Sequence, residues 1–91
     1  MATKAIFLDR DGVINKEINY LYRIEDFQFI NGIFEACQFL ESLNYKIIVT
    51  TNQSGISRGY YTEIDFQKIT KWMLDQFHKN NIEILDVIHC P

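Results

Sequence analysis

A chain of 91 residues makes one small domain with a thin margin of stability. Its 47% apolar residues, with seven Phe, five Tyr and one Trp, exclude a disordered chain and supply a packed core. A net charge of −3 without a basic run argues against nucleic acid as a partner, and no apolar stretch has the length of a signal segment or a membrane span. The expected compartment is therefore the cytoplasm, with no membrane partner. Cys37 and Cys90, the only cysteines, fit a reducing compartment better than a disulfide framework.

In chain order, the first predicted element is a strand at residues 5–8, a short apolar run ending at Asp9. The stretch 15–29 is long for a strand-to-helix connection and carries Tyr20, Tyr22 and Phe27 among charges. It is expected to be functional or to have structure of its own, such as a small hairpin flap. Apolar residues at three- and four-residue steps predict a helix over 33–43, with Cys37 in its core stripe. Asn31 can cap its start and Asn44 can end it. A second strand is predicted at 47–51. Thr62-Glu63-Ile64-Asp65 approximates a capping box and opens a longer helix. Ile69, Trp72 or Met73, and Phe77 form its buried stripe, and Asn80-Asn81 stops it. A third strand at 84–88 completes the set.

This alternation predicts an α/β fold, right-handed βαβ units on a parallel sheet. The near-continuous apolar character of the three runs predicts strands covered on both faces. Ligands of open α/β sheets bind beyond the carboxyl ends of the strands, so chemistry is expected after the first and second strands.

Asp9-Arg10-Asp11-Gly12 follows the first strand directly. Two carboxylates that converge there are held together naturally by a cation, and Mg²⁺ suits carboxylate oxygens combined with a phosphate. Alone, such a pair also describes two acids solvating a strand end. The second strand ends in Thr50-Thr51-Asn52-Gln53-Ser54-Gly55, with Arg58-Gly59 close behind. Hydroxyls, backbone N–H groups and a glycine are what a loop needs to cradle a phosphate, and Thr51 is the better-placed donor. Neither His78 nor His89 reads as a functional group.

The stretch 7–15, Phe-Leu-Asp-Arg-Asp-Gly-Val-Ile-Asn, resembles the first motif of the haloacid dehalogenase superfamily phosphatases, in the wording of the histidinol-phosphatase and heptose-bisphosphatase branch. Thr51-Asn52-Gln53-Ser54-Gly55-Ile56 with Arg58-Gly59-Tyr60 resembles the second-motif segment of the D-glycero-D-manno-heptose 1,7-bisphosphate 7-phosphatases. The stretch from Asp26-Phe27 to Gly32 and the closing Cys90-Pro91 match that branch too. The resemblance implies a Rossmann-like parallel sheet, here the first three βα units with a flap at about 15–29. It implies that Asp9 is the nucleophile, forming an aspartyl-phosphate, and that Asp11 is the general acid and base. Mg²⁺ would be held by the Asp9 carboxylate and the Asp11 main-chain carbonyl, while Thr51 and the Asn52 amide bind the phosphate. Arg58 would serve as a cation near the sugar or the distal phosphate.

The family's third-motif lysine and fourth-motif acidic pair are expected beyond these residues, since Lys71 and Lys79 both fall in the helix before strand three. Cys90 would be the first ligand of a structural Zn²⁺ loop whose other ligands lie further on, because one ligand cannot hold tetrahedral zinc. The 91 residues are therefore expected to be the N-terminal part of one haloacid dehalogenase-like domain of about twice the length. In that fold strand one lies centrally, so here its apolar edge would be bare and the isolated chain is expected to self-associate. The complete enzyme would be a monomer. The expected substrate is a small phosphorylated sugar, heptose 1,7-bisphosphate, in a pathway supplying cell-surface polysaccharide. The alternatives are histidinol phosphate and, in a different class, a catalytically incomplete phosphate-binding module.

Overall fold

The computed structural model describes residues 4–90. Strand β1 spans Lys4–Asp9, helix α1 Ile33–Ser42 and strand β2 Tyr45–Asn52. A one-turn helix α2, Ser54–Ser57, precedes the long helix α3, Glu63–Lys79, and strand β3 is Ile84–Cys90. The sheet is parallel throughout in the order β1-β2-β3. The predicted elements are all present. The α2 turn is an addition, formed where the sequence suggested only a loop.

Helix α3 starts as its capping box dictates: Thr62 Oγ accepts from the Asp65 amide while Asp65 accepts from the Thr62 amide. Its buried stripe is Phe66, Ile69, Met73 and Phe77. Asn80 is the C-cap, and Asn81 follows at φ 60, which ends the helix. Helix α1 departs from expectation at its start. Gly32, at φ 88, takes the N-cap position and no side chain caps it, so Asn31 does not serve. At the other end Asn44 adopts φ 67, the left-handed conformation that Asn tolerates better than most residues.

Among the described residues the cover expected on both faces of the sheet forms on one. Both βαβ connections step in the same direction across the sheet. Right-handed crossovers therefore put α1 and α3 on the same face. There Phe34 of α1 meets Phe77 of α3 at 5.3 Å between ring centroids, over the buried Ile47 and Val49 of β2. Among the described residues nothing covers the opposite face, where Phe7 is 61% and Ile88 50% exposed. Between Ile47 and Ile48 the β2–β3 register slips by one residue and leaves Leu85, also exposed, out of the ladder.

The stretch after β1 forms no hairpin. It holds one 3₁₀ turn, Ile24–Asp26, and single bridges Asp11–Asn15 and Asn15–Phe29. Apolar anchors tie it to the body. Ile14, Leu21 and Phe27 are buried, and Phe29 packs within 6 Å of Phe34, Trp72 and Phe77. Burying each such side chain contributes roughly 1.5–3 kcal/mol, so this segment is part of the core and not a loose lid. No helix among the described residues is long and apolar enough to cross a membrane.

Candidate active site

The strand ends build the site. Asp9 closes β1 on the uncovered side of the sheet, and its exposed carboxylate accepts from Thr50 Oγ at 2.8 Å. One more ladder bond, Arg10 N to Thr50 O at 2.9 Å, holds the chain before it turns. The Arg10 carbonyl then accepts from the amides of Ile14 and Asn15, and Gly12 takes φ +89, a conformation that a side chain would strain. This turn brings Asp11 back over the end of β2.

Asp11 is wrapped by donors. Its Oδ1 accepts from Arg10 Nη2 at 3.0 Å and from Asn15 Nδ2 at 3.1 Å, and its Oδ2 accepts from Thr51 Oγ at 3.2 Å. Arg10 is 2% exposed, an unusual place for a guanidinium, and lies 6.0 Å from the Phe27 ring centroid. Its Nη1 and the Oδ1 of Asn15 are buried and have no hydrogen-bond partner among the described residues. Unmet polar atoms of this kind cost roughly 1–3 kcal/mol each, a cost that sites tolerate more readily than cores do.

Two adjoining hollows share Arg10, Asp11, Glu17 and Asn52. One, of about 280 Å³, adds Asp9, Thr50 and Thr51. The other, of about 210 Å³, runs under Tyr20 and Leu21 to Gln53 and Tyr61. Asp9, Asp11, Thr51 and Asn52 thus meet in one cleft. Arg58 lines neither hollow. It is the C-cap of α2, exposed, with Nη1 donating to Tyr20 Oη at 3.4 Å. Cys90 pairs in register with Asn52 and lines a third hollow of about 320 Å³ with Asp9 and His89. No group of three or more His, Cys, Asp and Glu among the described residues could hold a metal ion. His89 is occupied otherwise, its ring tilted against Phe66 at 4.3 Å between centroids and 3.3 Å from Glu63.

Sequence reasoning did not single out Arg10, Asn15, Glu17, Thr50, Gln53 or Tyr61 as site residues. Thr50 had a signal, since adjacent strand residues face opposite sides and two threonines at a strand end serve both. Tyr61 had none: its approach to Gln53 depends on how α2 turns the chain.

No protein-family model matches the chain. It is 55% identical over 91 residues to the D-glycero-alpha-D-manno-heptose-1,7-bisphosphate 7-phosphatase of Campylobacter jejuni, covering all of this chain and 53% of that protein. It is 46% identical over 91 residues to the D-glycero-beta-D-manno-heptose-1,7-bisphosphate 7-phosphatase of Vibrio cholerae, covering 49% of it. The crystal structure of D,D-heptose 1,7-bisphosphate phosphatase from B. bronchiseptica, complexed with magnesium and phosphate, superposes at a TM-score of 0.90 with 26% identity. That match takes in 98% of this chain and 50% of that one. The enzyme of the same name from Burkholderia thailandensis gives 0.75 at 30% identity. The chain spans about half the length of the curated relatives it matches. By sequence and by fold the chain is similar to the N-terminal half of the heptose-bisphosphate 7-phosphatases.

Proposed function

We propose that this chain carries the nucleophile half of a Mg²⁺-dependent phosphomonoesterase that removes the 7-phosphate of D-glycero-D-manno-heptose 1,7-bisphosphate. The observation that carries the reading is the contrast between the two carboxylates of the cleft. Asp9 stands exposed with a single side-chain hydrogen bond, whereas Asp11 is held by Arg10, Asn15 and Thr51.

An exposed carboxylate at the mouth of a cleft is free to attack. In the proposed reaction an Asp9 oxygen bonds to phosphorus as the sugar oxygen leaves, giving an aspartyl-phosphate. Asp11 passes a proton to the departing sugar oxygen, then takes one from the water that hydrolyses the acyl phosphate, which regenerates both groups. Delivering that proton requires Asp11 to give up part of its hold on its donors. Thr51 Oγ and the Asn52 amide are the proposed phosphate donors. The Asp9 carboxylate and the Asp11 main-chain carbonyl are hard oxygen donors that suit Mg²⁺, and the engaged Asp11 side chain is not needed as a ligand. When bound, the ion would neutralise charge building on the phosphoryl oxygens. Arg58 reaches substrate in this reading only from the rim, through the Tyr20 side of the cleft. The Cys90 zinc ligand and a cytoplasmic location likewise remain parts of the proposal.

The test is phosphate release from both anomers of heptose 1,7-bisphosphate, with histidinol phosphate in parallel. Release should require Mg²⁺, vanish on chelation and vanish in Asp9→Asn. Turnover surviving in Asp9→Asn would sink the nucleophile. Preference for histidinol phosphate would transfer the reading to that substrate, and phosphate binding without turnover would leave a binding module.

A further inference from the structure

Behind Asp11 runs a line of three polar residues, of which the proposed chemistry gives a task to Thr51 alone. Gln53 is 2% exposed, Tyr61 6% and Thr51 9%. The Tyr61 hydroxyl donates to Gln53 Oε1, Gln53 Nε2 donates to Thr51 Oγ at 2.6 Å, and Thr51 Oγ donates to Asp11 Oδ2 at 3.2 Å.

The direction of this line is set from the cleft end. In the step where Asp11 takes the proton of the hydrolytic water it is ionised, and an ionised carboxylate only accepts, so Thr51 then spends its one proton on that side. The Thr51 oxygen then accepts from the amide N–H₂ of Gln53, which turns Oε1 toward Tyr61, whose hydroxyl donates to it. In the reversed amide, Oε1 would face Thr51 and draw its proton away from the cleft. Reversal means rotating a buried amide by half a turn and leaving two polar contacts unmet on the way.

Separate elements hold the two outer members. Gln53 follows β2, and its amide is fixed to the Cys90 carbonyl at 2.6 Å. Tyr61 precedes the N-cap of α3 and stacks on Tyr22 at 5.5 Å and 10°. Gly55 of α2 lies against its ring. A Cβ there would overlap Tyr61 Cε1 and come within 2.9 Å of Tyr20 Cδ1. Burial pushes the Tyr61 phenol pKa up, with Asp11 and Tyr20 adding to the rise and Arg10 opposing it, so the hydroxyl keeps its proton.

We propose that Gln53 and Tyr61 are positioning residues that aim the Thr51 hydroxyl proton at the cleft, where Asp11 and an incoming phosphoryl oxygen are its acceptors. Their part in turnover rests on the phosphatase reading; the orientation of the hydroxyl does not. Tyr61→Phe keeps the ring and its stack but removes the terminal donor, so the amide is free to turn. In the protein carrying this sequence, kcat on heptose 1,7-bisphosphate should fall roughly tenfold, with KM moving less than about twofold. Gln53→Met should do the same, and the double variant should be no slower than Gln53→Met alone. Gly55→Ala, which displaces the ring, should reproduce Tyr61→Phe. Additive losses, or an unchanged kcat with only a lower Tm, would overturn the proposal. If the wild type releases no phosphate, the phosphatase reading fails by itself, and proton NMR decides the orientation. A slowly exchanging Thr51 hydroxyl proton that disappears in Tyr61→Phe supports the relay, whereas fast exchange in the wild type removes it.

Discussion

The two faces of the sheet are built from similar residues and behave oppositely. On the covered face Ile47 and Val49 of β2 lie wholly buried with Cys37, Met73 and Phe77. On the other face Phe7, Leu85 and Ile88 are at least half accessible in the described residues. The difference does not come from hydrophobicity, since both faces carry Ile, Leu or Phe. It comes from connectivity: two right-handed crossovers stepping the same way place both helices on one side. The candidate site residues straddle this divide. Asp9 shares the face of Phe7, while Thr51 shares the face of Val49 and is correspondingly buried.

Phe77→Ala is the strongest challenge to that contrast. Phe77 is 0% exposed and packs against Phe29 and Phe34, so truncation should cost roughly 3–5 kcal/mol. Against the 5–15 kcal/mol total of an ordinary domain, that should abolish a cooperative thermal transition followed by circular dichroism. A normal transition would mean that the covered face is not the core.

Cys37 gives the same face a pH signature. Burial first, and Glu41 second, push its thiol pKa from the ordinary 9.0 up to about 11. A thiol held neutral by the fold contributes its stability fully below pH 9 and loses it as pH rises through about 11. Between those limits the wild type should lose on the order of 2 kcal/mol more than Cys37→Val in denaturant titrations. Parallel curves would contradict the buried thiol.

A matched pair sharpens the comparison further. Ile47→Val removes one methylene from the covered face and should cost about 1 kcal/mol, while Ile88→Val on the other should cost nearly nothing. Equal costs would mean that Ile88 is covered in the protein. Phe7→Ser should likewise change stability little, within about 0.5 kcal/mol, because its ring is mostly in water. Its effect should appear in sedimentation instead, as reduced self-association of the 91-residue chain. Unchanged association would clear the β1 side as the sticky surface.

Much of the fold was legible from the sequence. The three strands, the two long helices, the Thr62–Asp65 capping box and the stripe through Ile69, Met73 and Phe77 depend on local periodicity and local hydrogen bonds. The meeting of Asp9, Asp11 and Thr51 was legible too, because parallel strands bring their carboxyl ends to one edge of the sheet. The start of α1 misled: Asn31 has the side chain for a cap, but the chain enters the helix through Gly32 at positive φ. The stretch 15–29 has structure of its own, as expected, but not as the hairpin offered for example, because Phe27 and Phe29 pack on Trp72 of α3 and Phe34 of α1.

By itself, then, the sequence determined which segments become strands and helices and which strand ends carry acids and hydroxyls, since those outcomes follow from neighbours within a few residues. Only the tertiary structure decided which face of the sheet is covered, why Arg10 is buried against Asp11, and how Tyr61 reaches Thr51 through Gln53. Each of these depends on contacts between segments far apart in the chain, whose geometry is set by crossover handedness and by the space left at Gly55.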